Sequence, residues 1–328
     1  MHSHWFPASL VAALRARTIA PTVARRGDGA DVLQITRGRI KLDDDHVALA
    51  RRLAIMDRHG ITTATLSIPG AGIDNLDAAE ALPLAQLFND GLAAACRDHP
   101  GRFAGFLTLP CQDMDLAVAE FERLMGQPGV LGALLPGNDF FSYEAAVRYR
   151  PLLAVAERHR ALLFVHPSPL PEGRSQVPSE DIDNATQRRA ALDNQSQISR
   201  FMVTLCLTDL LDPFPNVAVQ VPNIGGNIPL EVERMDHISL NRTPGAEPPS
   251  SRLRRCYVDC NSFGPRGIEL AAAVYGADKV VLGTDGTDFG TEWSLHALAQ
   301  ARLDDAARRA IAGGNANALI AARLPLAA

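Results

Sequence analysis

A (β/α)8 barrel is the fold this sequence predicts, on three observations. Short apolar, β-branched runs alternate with amphipathic helical runs from about residue 47 to the end. Most of the strand-like runs are continuously apolar, as in a parallel sheet buried on both faces. Seven can be counted, and an eighth is available around His2 and His4, which completes the strand number of the barrel. An open doubly wound sheet is the competing architecture. No G-x-G-x-x-G follows the early strands, however, and Gly225-Gly226 lacks that spacing. One domain is expected over residues 1–328, because barrels of this class fold as single units of ~250 residues or more.

The elements follow in order. His2-Ser3-His4 reads as extended, with i and i+2 on one side. Residues 48–60 (ALARRLAIMDRHG) have helical spacing and a glycine stop. Ile61–Ile68 is β-branched and bounded by Pro69-Gly70, so a strand. Residues 82–98 form a helix, 103–109 a strand stopped by Pro110, 116–125 a helix, and 130–135 a strand ended by Pro136-Gly137. Helix 149–159 precedes the strand 161–165, which runs into His166-Pro167. Helix 197–211, strand 216–221, short strand 256–259, helix 268–275 and strand 280–282 follow, the last ending in Gly283-Thr284-Asp285. Residues 23–43 and 242–252 are expected to be disordered or excursion segments, the Pro- and Ser-rich latter (RTPGAEPPSSR) a surface loop.

Composition removes several classes of function. Of 328 residues, 47% are hydrophobic and 21% charged, as in a globular protein with a sizeable core. A net charge of −5 offers no positive field for nucleic acid or anionic membrane. No apolar run reaches the ~18 residues of a membrane span. Cys96, Cys111, Cys206, Cys256 and Cys260 make an odd count without a CxxC pair. Reduced thiols in a cytoplasmic compartment are expected, in keeping with the lack of a secretory leader before the histidines.

Polar groups mark the C-terminal ends of the strands: His2 and His4, His166, Asn223, Asp259 and Asp285. In a barrel these ends share one rim, where active sites are assembled from separate strands. Imidazoles with one carboxylate suit zinc or another divalent transition ion. An aspartate there can ligate the ion and handle a proton. Asp285 could equally cap a helix, and Asn223, between Pro222 and Gly225-Gly226, could be a turn residue. Asp259 and Asp288 read as loop or cap residues. His46, His59, His99, His159, His237 and His296 sit in helical or polar stretches and read as solvated. Trp5 and Phe6 follow the first ligands and are candidates for the pocket mouth.

The order H-x-H, V-H-P, G-G-x-x-P and L-G-T-D resembles the amidohydrolase superfamily. Within it the chain is similar to the metal-dependent non-oxidative decarboxylases, the branch of the aminocarboxymuconate-semialdehyde, γ-resorcylate and 6-methylsalicylate enzymes. The segments MDRHGITTATLSIPGAGI, LLFVHPSP, NIGGNIP, DKVVLGTDGTDFG and GGNANALI carry the resemblance. It implies a (β/α)8 barrel with one divalent ion, Zn2+ or Mn2+, on His2, His4, His166 and Asp285. It also implies a small aromatic or unsaturated carboxylic acid as substrate, loss of CO2 without redox chemistry, and a homodimer. Protonation of the substrate carbon would precede C–C cleavage, with the metal stabilising developing oxyanion charge. A hydrolase or hydratase on the same barrel and a catalytically impaired ligand-binding paralogue are the alternatives.

Two departures accompany the resemblance. Where the family has H-x-G-G-x-x-P, this chain has Asn223-Ile224-Gly225-Gly226-Asn227-Ile228-Pro229. An amide hydrogen-bonds but cannot carry a proton, so Asn223 is a catalytic candidate in altered form, with Asp285 the proton relay. The family's first strand leads into H-x-H, whereas only Met1 precedes His2. Either the true start lies upstream, or the chain carries a truncated or degenerate first strand, with a gap between the flanking strand edges. Trp5, Arg188 and Arg189 are weaker candidates for binding the substrate, the arginines through its carboxylate.

Overall fold

The computed structural model describes residues 2–323, apart from 28, 30, 36–37, 69–71, 169–183 and 185–186. A small antiparallel sheet comes first, of β1 (Thr22–Arg25), β2 (Asp31–Ile35) and β3 (Gly38–Leu42). The excursion expected at residues 23–43 is thus partly regular structure. Its strands (TVAR, DVLQI, GRIKL) are diluted by charge, which blurs their period. Val23, Leu33 and Leu42 nevertheless insert into the main core. The loop expected at 242–252 carries one short helix, Pro249–Arg252.

Seven parallel strands follow: β4 (Ala64–Leu66), β5 (Phe103–Leu107), β6 (Val130–Pro136), β7 (Leu162–His166), β8 (Ala218–Val221), β9 (Tyr257–Asp259) and β10 (Val280–Val281). They pair strictly in sequence order, the arrangement of a barrel wall. The alternation predicted from sequence gives two layers of core. Leu163 and Val165 of β7 face the helices, with Phe121 and Leu152 in the same cluster. Leu162 and Phe164 face inward with Ala104, Phe106, Leu134 and Ala218. At Gly132 in β6, a Cβ would stand 1.9 Å from the Leu162 carbonyl oxygen. Only glycine lets β6 approach β7 this closely.

The helices that cover the wall begin where local chemistry directs. Asp77 accepts from the Glu80 N–H at the start of Ala78–Asp98, and Asp113 caps Met114–Leu124 through the N–H groups of Asp115 and Leu116. Among the described residues no helix is long and apolar enough to cross a membrane. All five cysteines are free and buried, and burial pushes the Cys96, Cys111 and Cys260 thiols up to about 12.

The eighth position of the wall belongs to residues 2–5. His4 bridges Ser67 in parallel sense. Ser67 N–H donates to Ser3 O at 3.2 Å and Trp5 N–H to Ser67 O at 2.9 Å. On the opposite flank Asp285 N–H donates to His2 O at 3.0 Å. The chain is a (β/α)8 barrel, with residues 2–5 standing at the place of its first strand. At the rim these few residues close the wall. Below them, between β4 and β10, lies an opening of about 350 Å3, lined by Ala64, Thr65, Leu282, Arg52, Ala316 and Ile320 among others.

Candidate functional site

Each imidazole reaches the rim from its own backbone. Ser3 and Trp5 face away from the side that His2 and His4 share, as strand geometry requires. Trp5 is therefore a core residue rather than part of a pocket mouth. Its indole N–H donates to Val47 O at 3.0 Å and its ring lies 6.0 Å from Phe88. Phe6 is likewise fully buried. His166 ends β7, paired with Pro136 of β6. The inward ring of Phe164 underlies the group, 5.1 Å from the His2 ring and 5.3 Å from His166.

The three Nε2 atoms point at one another. His2 Nε2 is 3.3 Å from His4 Nε2 and 3.2 Å from His166 Nε2. Asp285 Oδ1 lies 3.3 Å from His4 Nε2 and 3.7 Å from His2 Nε2. Four donors about 2.1 Å from one tetrahedral ion stand about 3.4 Å apart, which is the spacing found. Asp285 Oδ1 is buried with no hydrogen-bond partner among the described residues, a costly condition for a carboxylate oxygen unless a cation faces it. These residues fit a divalent ion in chemistry and in spacing.

The outer nitrogens are all engaged, which fixes the tautomers. His2 Nδ1 donates to Asp259 Oδ2 at 2.9 Å. His4 Nδ1 meets Ser67 Oγ at 3.2 Å, whose own proton goes to Ser3 O. His166 Nδ1 donates to Pro167 O at 2.8 Å. With Nδ1 carrying the hydrogen, each Nε2 lone pair faces the centre. Burial opposes charge on His2, but Asp285 and Asp259 outweigh it and raise its pKa. Burial and the two neighbouring imidazoles hold His166 well below its ordinary value. Burial would raise Asp285, yet His2 and His4 overcome it and draw its carboxyl far down, so it stays ionised at neutral pH.

Asp259 is the functional residue sequence reasoning passed over. It is fully buried, and its second oxygen accepts from the N–H groups of Asn223 (2.8 Å) and Asn261 (3.1 Å). The signal was available: an aspartate closing a short strand of a buried sheet must find partners. Asn223 stands at positive φ (52°), with its side-chain oxygen accepting from Asn261 Nδ2 at 3.0 Å. It borders a cleft with Gln195, Asn227 and Arg266, one shell out from the imidazoles.

His46, expected to be solvated, is buried. It lies between Asp43 Oδ1 (2.8 Å) and Asp288 Oδ1 (3.2 Å). Asp288 also comes within ligand-sharing distance of His4 and Asp285. Arg188 is exposed on the helical turn Gln187–Asp193, and the side chain of Arg189 lies outside the described residues.

Known proteins bear on this geometry. A family model described as Amidohydrolase matches residues 1–321. The chain is 27% identical over 268 residues to the γ-resorcylate decarboxylase of Rhizobium radiobacter, covering 74% of this chain and 79% of that one. A crystal structure of Metarhizium anisopliae IDCase in apo form superposes with a TM-score of 0.83 at 20% identity, over 98% of this chain and 96% of the other. The dihydroxybenzoic acid decarboxylase of Polaromonas sp. JS666, with bound manganese and the inhibitor 2-nitroresorcinol, superposes with a TM-score of 0.68 at 21% identity, over 97% and 95%.

Proposed function

We propose a function from one premise: this chain belongs to the amidohydrolase family. It is a metal-dependent, non-oxidative decarboxylase of a small aromatic or unsaturated carboxylic acid. One observation carries the assignment: three imidazole nitrogens and an unpartnered, buried carboxylate oxygen converge at the spacing of a single ion's donors. The γ-resorcylate decarboxylase relatives support the substrate class.

His2, His4, His166 and Asp285 would hold the ion. Three nitrogens and one oxygen suit Zn2+, and Mn2+ is compatible. When bound, it supplies Lewis-acid stabilisation of negative charge on substrate oxygens. The rest falls to the chain's own residues. The reaction consumes one proton and releases CO2, with the proton replacing the carboxylate on carbon. Asp285 is the group placed to hand over that proton. Anionic at neutral pH, it would relay: the carboxylate takes a proton from water and passes it to carbon, returning to the anion. Asn223 acts as a fixed hydrogen-bonding group beside Asp259, since an amide cannot relay protons. Asp259 holds His2 in the ligating tautomer.

One barrel domain over residues 1–328, acting in the cytoplasm as a homodimer, completes the proposal. The five free, buried cysteines support a reducing compartment, and light scattering on the purified chain tests the dimer. Elemental analysis of protein purified without a histidine tag, with CO2 evolution from a panel of hydroxybenzoates, tests the function. Near one metal per chain and metal-dependent CO2 release are expected; a chain with only trace metal overturns the assignment.

A further inference from the structure

The place of residues 2–5 in the wall raises the question of what holds His4. Ser3 O and Trp5 N–H pair with Ser67, so strand alternation turns the N–H and C=O of His4 to the other flank. There β10 has already ended. Asp285 N–H to His2 O is the last backbone bond. Asp285 then takes a left-handed conformation (φ 46°, ψ 32°) and the chain leaves into the short helix Gly286–Phe289. In an ordinary barrel the neighbouring strand would serve His4. Here side chains do. Thr287 Oγ1 accepts from His4 N–H at 3.2 Å and donates to His4 O at 3.0 Å. Arg52 Nη2 donates to His4 O, to Asp45 O at 2.8 Å and to Thr287 Oγ1 at 3.2 Å.

Arg52 is an expensive residue to keep there. It is only 7% exposed, and its Nε is buried without a partner among the described residues. Burial draws its guanidinium down to about 10, against the opposing pull of Asp45 and Asp288, so it remains a cation at neutral pH. It also stands one residue's width behind a cluster fitted to another cation. Electrostatics alone would remove it. What it supplies is geometry: one guanidinium nitrogen, Nη2, held against two carbonyls and a hydroxyl at once. It lines the opening below the segment.

Granted the metal centre proposed above, we infer that Arg52, acting with Thr287, is the positioning residue that holds the His2–His4 segment in ligating register. It touches neither substrate nor ion and acts through the His4 backbone. The prediction is therefore specific to metal affinity.

The test is Mn2+ binding to the full chain, followed by the electron paramagnetic resonance signal of the free ion, alongside thermal unfolding of the metal-free protein. Arg52→Met should weaken Mn2+ binding by about ten-fold or more. Arg52→Lys should recover part of the loss, and the metal-free variants should unfold close to wild type. Arg52→Met that binds Mn2+ as tightly as wild type overturns the inference. Should Arg52→Met fail to fold, Thr287→Val decides: a loss of about three-fold or more is expected, and unchanged affinity overturns the inference. Wild-type chain that takes up no Mn2+ or Zn2+ sinks the metal centre itself, an outcome visible before any variant is compared.

Discussion

His166 and His4 bring their nitrogens within 3.3 Å of His2 Nε2, yet the regions that deliver His166 and the His2–His4 pair are built differently. His166 ends a five-residue strand laddered on both sides, to Leu134–Pro136 of β6 and to Ala218–Gln220 of β8. Its neighbours Leu163 and Val165 are anchored in the main core. The His2–His4 segment has one bridge to Ser67, one backbone bond from Asp285, and side chains for the rest. Backbone ladders are indifferent to most single substitutions, because every residue offers the same N–H and C=O. Side-chain clamps are not. The two halves of one site should therefore fail in different ways: the β7 half through global stability, the N-terminal half through metal affinity with the fold intact.

The largest effect should come from the core beneath β7. Leu163→Ala removes a 1% exposed side chain from the outer layer and should cost about 2–5 kcal/mol in chemical denaturation. Mn2+ affinity of the folded fraction should change by no more than a few-fold. A large affinity loss there would erase the contrast between the halves.

Asp259→Asn should do the reverse. The Asn oxygen can still accept from Asn223 and Asn261 N–H, which turns its NH2 toward His2 Nδ1. His2 must then move its hydrogen to Nε2, and the ligating lone pair is lost. Metal affinity should fall about 10- to 100-fold, with the unfolding midpoint of metal-free protein little changed. Affinity equal to wild type would show that the 2.9 Å contact does not set the tautomer.

The smallest effect is a pH dependence confined to the N-terminal half. Burial works against charge on His46, but Asp288 and Asp43 prevail and raise its pKa. A raised folded-state pKa contributes stability that is full below the unfolded value of ~6.5 and is lost as pH climbs through the folded value. The melting-point difference between wild type and His46→Gln should accordingly be greatest near pH 6 and shrink toward pH 9. A difference that grows with pH would mean His46 is held neutral.

Much of the architecture was legible because it is written in periods. The apolar runs at 103–107, 130–136 and 162–166 and the helices between them need no tertiary information. The proposed ligands were legible because each strand end exposes its polar residue to a common rim. What escaped was set by partners distant in sequence. Asp259 looks like a cap until the wall closes and the His2 side chain, 257 residues away, becomes its partner. Trp5 looked like a rim residue because it adjoins His4, though the same alternation that unites His2 with His4 sends Trp5 outward. His46 lies in a charged stretch (DDDHV), and only the fold brings Asp288 against it and seals it from water.

The buried cysteines have a practical consequence. A thiol reacts as its thiolate, and with the native sulfurs enclosed and three of them pushed up to about 12, a thiol-directed label at pH 7 should leave them untouched. One cysteine at an outward position such as Leu230 or Ile19, exposed by 74% and 76%, would then carry a single nitroxide without prior removal of the others. Mn2+ at the rim is paramagnetic, and its broadening of that nitroxide would measure how far the ion sits from each label. Two labels on opposite sides of the barrel would locate it by triangulation, independently of turnover.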